Sequence, residues 1–226
     1  GAISETHPVT DELTDEEKLQ RGLCALLRAM LSAAPADATV GHTELEALRP
    51  LLSLMKGQRA DAELSTDACA CLATLARRSV VLTKQVAKCG AVKTLLLTMR
   101  QHIKCEDVHT HAVGALRAIA DASEGCRKLI LDAHGVAMLC VVMKRHSLAP
   151  PLQRDGIATL ACLMLHGEAG RKAVANEKEG VEVFVGGMLL CAREKLDIAH
   201  AADALRLLAE DHPDLVKRIG MANGKK

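Results

Sequence analysis

Residues that can bind a metal ion are densest between His102 and His111. His102, Cys105 and His109 follow each other at i, i+3 and i+7, which would place them on one face of a continuous helix. Zinc needs this kind of convergence, and a closed zinc site needs four ligands. The sequence pattern, however, places a helix boundary near Lys104, and that boundary would break the common face. We therefore expect no metal site in this segment.

A cysteine nucleophile with a histidine base is a second arrangement to consider, because the chain has 9 Cys and 10 His. A catalytic thiol needs a lowered pKa, typically at a helix N-terminus, and an orienting partner. Cys126, which follows Gly125 near a predicted helix start, is the best candidate. The pair Gly186-Gly187 lies in an apolar helical pattern and lacks the Lys-Ser/Thr that follows a phosphate-binding loop. We expect a protein that is not an enzyme and binds no cofactor.

The composition argues against several classes of partner. In 226 residues, 29 Lys+Arg face 28 Asp+Glu, so the net charge of +1 attracts neither nucleic acid nor an anionic membrane. The chain has no Trp, no Tyr and only one Phe, so it lacks the rings on which bases or sugars stack. No apolar run approaches the about 18 residues of a membrane span. We expect no nucleic-acid partner and no membrane insertion.

The cysteines indicate the redox compartment. Their number is odd, no Cys-x-x-Cys occurs, and most lie in stretches rich in Ala and Leu, where a free thiol packs as a small hydrophobe. We therefore expect a reducing compartment and a cytoplasmic protein.

The elements that would position all these residues recur along the chain. A segment of type A-x-x-x-L-x-x-L/I-A appears with anchor leucines separated by 45, 44, 44 and 45 residues, at Leu27, Leu72, Leu116, Leu160 and Leu205. Its apolar residues at i, i+4 and i+7 are typical of an amphipathic helix that is buried along one stripe.

Glycines keep the same period. Gly90, Gly135 and Gly180 are 45 residues apart, and each is followed by an apolar run. A glycine between two helical patterns is typical of a sharp turn from one helix into the next. Each unit is therefore predicted to contain three helices: a short one that ends near the glycine, a second with the apolar run, and a third with the anchor leucine.

This order of helices, with its glycine turn and its A-x-x-A-L-x-x-L-A helix, resembles the armadillo repeat over residues 12–220. The resemblance implies an all-α, right-handed α-solenoid with three full units and incomplete units at both ends. In that family the third helices line a concave groove. We expect residues 1–11 to be a disordered or tag-derived N-terminus and residues 221–226 to be a flexible C-terminal tail.

The chain departs from the family's peptide-binding members, such as nuclear-import receptors, which carry a Trp and an Asn four residues apart on the third helix. Here the Trp position holds Ala25, Ala70, Gly114, Ala158 and Asp203, and the Asn position holds Ala29, Thr74, Ala118, Cys162 and Leu207. Because no Trp occupies the first of these positions and no Asn the second in any unit, we do not expect recognition of an import signal.

Arginines remain on the predicted groove face. Arg28, Arg117 and Arg206 hold the same position in three units, and Arg77 and Arg154 are neighbours on that face. An arginine can bind a partner's carboxylate through two parallel hydrogen bonds. The alternative interpretation is that these are solvated charges that pair along and between helices, at about 0.2–0.5 kcal/mol per pair.

The function predicted from these features is a non-catalytic protein-interaction scaffold that holds an acidic or amphipathic segment of another protein. The predicted groove residues are Arg28, Ala70, Thr74, Arg77, Gly114, Arg117, Ala118, Arg154, Ala158, Cys162, Asp203 and Arg206. The alternative function is structural self-assembly into homo-oligomers through the end repeats, because a solenoid needs polar caps to stay monomeric.

Overall fold

The computed structural model of the chain describes residues 18, 22, 42–56 and 61–224. Every regular element in these residues is a helix, and no strand occurs among them. The prediction of an all-α fold is therefore confirmed.

The helices follow a recurring order of lengths. Two of them precede the first triplet, α1 (His42–Lys56) and α2 (Ala62–Arg78). The first triplet contains α3 (Val80–Lys88), α4 (Ala91–Gln101) and α5 (Glu106–Ala122). The second contains α6 (Glu124–Asp132), α7 (Gly135–Arg145) and α8 (Pro150–Leu165). The third contains α9 (Glu168–Asn176), α10 (Gly180–Arg193) and α11 (Ala199–Asp211). A 3₁₀ turn, Pro213–Leu215, and α12 (Val216–Gly224) follow. Each triplet begins with a helix of 9 residues and continues with two longer ones.

The triplets stack side by side. The third helices α2, α5, α8 and α11 pack against one another in chain order, and the second helices α1, α4, α7 and α10 do the same. The anchor leucines Leu72, Leu116 and Leu160 are fully buried between them, and Leu205 is half-buried. One continuous hydrophobic core results, so the apolar stripe of each helix is removed from water by its neighbours. The predicted stacking of helical units is confirmed.

The glycine turns lie where they were predicted, but the glycines act in two ways. Gly90 has φ of 90°, a left-handed conformation that glycine adopts at little cost. At the next turn this conformation belongs to His134, with φ of 57°, and Gly135 instead begins α7. Gly180 lies so close to the preceding helix that a Cβ atom would be 2.4 Å from the carbonyl oxygen of Val174. The later glycines thus permit close packing of two helices.

Two of the prolines lie at helix starts. Pro150 begins α8, and Pro213 begins the 3₁₀ turn. A proline suits a first turn because its missing N–H has no partner there in any case. Pro50 lies inside α1, and α12 continues past residue 220 to Gly224.

Candidate binding groove

A buried carboxylate, Asp155, holds three arginines on the groove face. Its Oδ1 accepts hydrogen bonds from Arg117 Nη1 at 2.8 Å and from Arg154 Nε at 3.0 Å. Arg77 Nη2 lies 3.7 Å from Oδ2 and completes the group as an ion pair. The Asp155 side chain is only 5% exposed, so its charge is desolvated and depends on these partners.

The four side chains of this arginine cluster come from three successive third helices. Arg77 lies in the last turn of α2, Arg117 lies within α5, and Arg154 and Asp155 lie in the first turns of α8. Because these helices pack side by side, the arginines can reach across two interfaces between repeats. The cluster therefore links three units of the stack.

Gly114 allows Arg77 to reach this cluster. A Cβ atom on Gly114 would lie 2.5 Å from Arg77 Nη2 and 3.2 Å from Asp155 Oδ2. The Arg77 guanidinium thus passes directly over the backbone of α5 at this point. The mid-helix glycine, which costs about 0.5–1 kcal/mol relative to alanine, makes room for this contact between repeats.

The cluster lines an open cavity of about 520 Å³. The Arg77, Arg117 and Arg154 side chains are 55%, 40% and 47% exposed, respectively. A guanidinium has five N–H donors, so donors remain that face the cavity. Three positive charges here meet two negative ones, Asp155 and Asp121, which leaves an excess of one positive charge among the lining residues.

A second cavity, of about 180 Å³, adjoins the first. Arg117 and Arg154 line both cavities. The remaining lining is mostly apolar and comes from α8, α10, α11 and the connection before α11; it includes Ile157, Ala158, Ala161, Leu196, Ile198 and Ala201.

Two solved structures of engineered proteins from the Northeast Structural Genomics Consortium share this architecture. Target OR329 matches with a TM-score of 0.70 and 25% sequence identity, covering 93% of this chain and 81% of that chain. Target OR366 matches with a TM-score of 0.58 and 16% identity, covering 93% of this chain and 96% of that chain. No family model matches the chain, and no curated protein does. This is an all-helical repeat protein.

The other predicted groove residues of the repeat protein are spread over several environments. Ala118 lines the larger cavity and Ala158 the smaller one, whereas Ala70 is buried. The Thr74 hydroxyl donates to the Ala70 carbonyl within α2 at 2.9 Å. Cys162 is buried, and its thiol lies 3.5 Å from the Ala120 carbonyl of the neighbouring repeat.

Two further predicted positions, Arg206 and Asp203, lie outside the cluster. Arg206 pairs with Glu210 within α11, at 2.6 Å, and lines neither cavity. Asp203 is exposed on the same helix. Arg28 lies outside the described residues.

The histidines and cysteine that resembled a zinc site do not share one helix face. His102 lies in the turn after α4, and α5 begins at Glu106, so the predicted break near Lys104 is present. In the described part of the chain, no group of three or more His, Cys, Asp or Glu side chains is placed to hold a metal ion. Cys126 is buried, and its backbone N–H donates to the Ser123 hydroxyl at 3.3 Å.

The cysteines that the structure describes are free, and most are buried. Burial raises the pKa of the Cys140 thiol to about 12 and that of Cys162 to about 11, and it also raises the pKa of Cys69 and Cys191. A raised pKa removes the thiolate that a nucleophile requires. These cysteines behave as packing residues.

A buried histidine, His109, joins two neighbouring units of the repeat protein. Its Nε2 lies 3.0 Å from the Met99 carbonyl oxygen, which can only accept, so Nε2 carries the proton. Its Nδ1 lies 2.9 Å from Nε2 of His146, whose Nδ1 is 3.4 Å from the Glu106 carboxylate. Burial lowers the pKa of His109, so a neutral ring accepts the hydrogen bond from His146.

The same repeat position makes equivalent contacts in the units on either side. Ser65 and Gln153 lie 44 residues before and after His109. Ser65 Oγ is 3.0 Å from His102 Nε2, and Gln153 Nε2 donates to the Met143 carbonyl at 2.7 Å. The sequence analysis did not identify these three equivalent polar residues, although their regular spacing of 44 residues could have indicated them.

Asp155 was also missed. Among the polar residues near the start of α8, it is flanked by buried residues, Leu152 and Thr159, on the same helix face. An acidic residue in line with a buried helix face was the available signal. Its partners could not be deduced, because they lie on other helices.

No helix in the described residues of the repeat protein is both long and apolar enough to cross a membrane.

Proposed function

We propose that this repeat protein is a non-catalytic scaffold that binds an acidic segment of a partner protein along α2, α5 and α8. The observation that supports this proposal is the arginine cluster around Asp155. Three half-exposed guanidinium groups converge on one carboxylate and retain donors that face an open cavity. A second carboxylate, supplied by a partner, would meet donors of the same kind.

Asp155 prepares the cluster for a ligand. An isolated arginine on a surface loses side-chain entropy when it binds, and this loss weakens the complex. Here Arg117 and Arg154 are already held by hydrogen bonds of 2.8 and 3.0 Å to a buried oxygen. The remaining excess of positive charge favours an anion, and charge-assisted hydrogen bonds to a carboxylate are stronger than neutral ones.

We further propose that the fold belongs to the armadillo class and forms a right-handed superhelix. The support is the order of short, second and third helices in each triplet, together with the 44- to 45-residue spacing of the anchor leucines. The free cysteines support a location in a reducing compartment such as the cytoplasm.

A variant that tests this proposal must leave the buried carboxylate of Asp155 paired. Reversing Arg117 to glutamate would place a second carboxylate beside Asp155, so a loss of binding could reflect lost stability. The variant Arg117→Gln instead removes the excess positive charge of the lining and leaves Asp155 paired with Arg154 and Arg77. Arg206→Gln is the matched control, because Arg206 holds the same repeat position as Arg117 but lies outside the cluster.

Peptides of random sequence are selected by phage display on the immobilised protein, and their affinities are measured by fluorescence anisotropy. We expect enrichment in Asp and Glu, with affinity that falls as salt is raised. Arg117→Gln should bind at least about tenfold more weakly, because a charge-assisted hydrogen bond and the excess positive charge are lost, and the control should bind as the wild type does. Equal affinity of the wild type and Arg117→Gln, with the helical circular dichroism intact, would refute the groove as the binding surface.

The second candidate function is self-assembly through the C-terminal end. Val216 and Met221 on α12 are 53% and 65% exposed, which leaves apolar surface uncovered there. Sedimentation velocity over a range of concentrations should then show growing oligomers, and Val216→Glu should abolish them. The control is Leu148→Glu, because Leu148 is also apolar and is 78% exposed, but lies away from α12. A monomer at every concentration contradicts this function.

A further inference from the structure

The larger and the smaller cavity of the groove offer different chemistry side by side. The larger one is lined by three arginines, Arg77, Arg117 and Arg154, and by two carboxylates, Asp121 and Asp155. The smaller one is lined mainly by Ala, Ile and Leu side chains. Because Arg117 and Arg154 are walls of both, a ligand bound to these two arginines also lies at the mouth of the apolar cavity.

The lining of the smaller cavity sets the direction in which a ligand can bind. Asp197 lines this cavity, and its Oδ1 accepts a hydrogen bond from the Ala199 backbone N–H at 2.9 Å. Both cavities share Arg117 and Arg154, and both contain like charges, Asp197 here and Asp121 and Asp155 in the larger cavity. The larger cavity adds a third arginine, Arg77, whereas the rest of the smaller lining is mostly apolar and cannot solvate a carboxylate. The acid group therefore belongs in the larger cavity, and an apolar group belongs in the smaller one.

We infer that the groove selects a partner segment in which an Asp or Glu side chain and a small aliphatic side chain project from the same face. This inference rests on the proposed function and names its ligand class. The carboxylate binds Arg117 and Arg154 from the solvent side, opposite to Asp155, and the aliphatic side chain enters the cavity beside Ala158.

A carboxylate matches the charge of the groove better than a phosphate group does. The lining residues of the larger cavity have an excess of one positive charge, which one carboxylate neutralises. A phosphate carries about −1.5 to −2 charges near neutral pH and would leave an excess of negative charge beside Asp155 and Asp121.

The test uses short synthetic peptides and two isoleucine methyl groups as reporters. The probes are acetylated, amidated alanine peptides that carry Glu and Leu two residues apart, for an extended ligand, or four residues apart, for a helical one. Matched peptides replace Glu with Gln, Leu with Ala, or Glu with phosphoserine. Methyl NMR of protein labelled at isoleucine follows Ile157 and Ile198, which line the smaller cavity, and Ile130, which is buried elsewhere, is the internal control.

We expect one of the two Glu-and-Leu peptides to shift the Ile157 and Ile198 signals and to leave the Ile130 signal in place. Replacement of either Glu or Leu should weaken binding by at least about fivefold, because a charge-assisted hydrogen bond or buried apolar area is lost. Ala158→Leu fills the smaller cavity and should abolish the preference for Leu over Ala while binding of the acid remains. Arg206→Gln should change neither.

Failure of this inference differs from failure of the proposed function. If the methyl signals shift equally with the Gln or the Ala peptide, the groove binds peptides but the ligand class is wrong. Tighter binding of the phosphoserine peptide likewise overturns the assignment to a carboxylate. If neither these peptides nor those selected by phage display depend on the cluster, the proposed function itself fails.

Discussion

Arg117 on α5 donates a hydrogen bond of 2.8 Å from Nη1 to Oδ1 of Asp155 on α8, 38 residues further along the chain. The arginine cluster is therefore assembled from three repeats, with Arg154 and Asp155 contributed by the same helix. Each arginine in the cluster pairs with the buried carboxylate of Asp155 and so stabilises the packing of the repeats. The guanidinium N–H groups that make no such bond are available to a ligand. A substitution in this cluster can therefore change both the free energy of unfolding and the affinity for a ligand, so the two quantities must be measured separately.

The variant Asp155→Asn should destabilise the protein by about 1–3 kcal/mol, since it replaces charge-assisted hydrogen bonds with neutral ones and leaves three arginines facing each other. The half-exposed arginines are partly screened by water, which keeps the effect below that of a fully buried ion pair. Urea denaturation followed by circular dichroism measures the free energy of unfolding. Asp203→Asn, at an exposed position on α11, should change it by less than about 0.5 kcal/mol.

Gly114→Ala should leave the free energy of unfolding unchanged or raise it by up to about 1 kcal/mol, because alanine favours the helix. The new Cβ would lie 2.5 Å from the flexible end of Arg77, which can move away, and 3.2 Å from Asp155 Oδ2, which needs to shift only slightly. The Arg77–Asp155 pair that is then lost is 3.7 Å long and half-exposed, so it contributes little. In Gly170→Ala, by contrast, the Cβ would lie 2.0 Å from the backbone carbonyl oxygen of Leu163, so this variant should be strongly destabilised. Urea denaturation measures the free energy of unfolding of both variants, which should fall in Gly170→Ala but not in Gly114→Ala. A large loss of stability in Gly114→Ala would contradict the position of Arg77 beside Gly114.

His109 should make stability depend on pH below neutrality. Its folded pKa is lowered by burial below the ordinary value of 6.5, so beneath that pH the unfolded chain binds a proton that the folded chain does not. The stability that His109 contributes is present above pH 6.5 and is lost as the pH falls towards the folded pKa. Urea denaturation at pH 7.5 and pH 5.5 should show this loss in the wild type.

The variant His109→Gln is the control for that dependence. Glutamine at the equivalent position 153 donates to the Met143 carbonyl, so the new side chain can donate to the Met99 carbonyl in the same way. We expect His109→Gln to fold and to lose less stability than the wild type between the two pH values. An unchanged pH dependence would mean that other histidines cause it.

The cysteines should differ sharply in reactivity. Cys89 is exposed at the end of α3, whereas Cys69, Cys140 and Cys162 are buried with raised pKa values. Iodoacetamide at pH 8 should label Cys89 in the native protein and label the buried three only after unfolding, because the thiolate is the reactive form. Mass spectrometry of tryptic peptides locates the label. Rapid labelling of Cys140 in the native state would contradict its buried position.

The repeat architecture could be predicted from the sequence because it is recorded in local and periodic features. The spacing of Leu72, Leu116 and Leu160 and the turn glycines at 90 and 135 are visible in the sequence. A helix buries the residues of one stripe, and a repeat buries its stripe against the next copy, so pattern and packing have the same period. The structure places these leucines in the core and the turns between the short and second helices.

The candidate site could be predicted only in part. The sequence indicated that Arg77, Arg117 and Arg154 share a face, since this follows from helical periodicity. It did not indicate that Asp155 would be the carboxylate that unites them, nor that Gly114 leaves room for Arg77. Whether a charge is buried depends on which side chains from other helices cover it, and those distances exist only once three repeats have packed together.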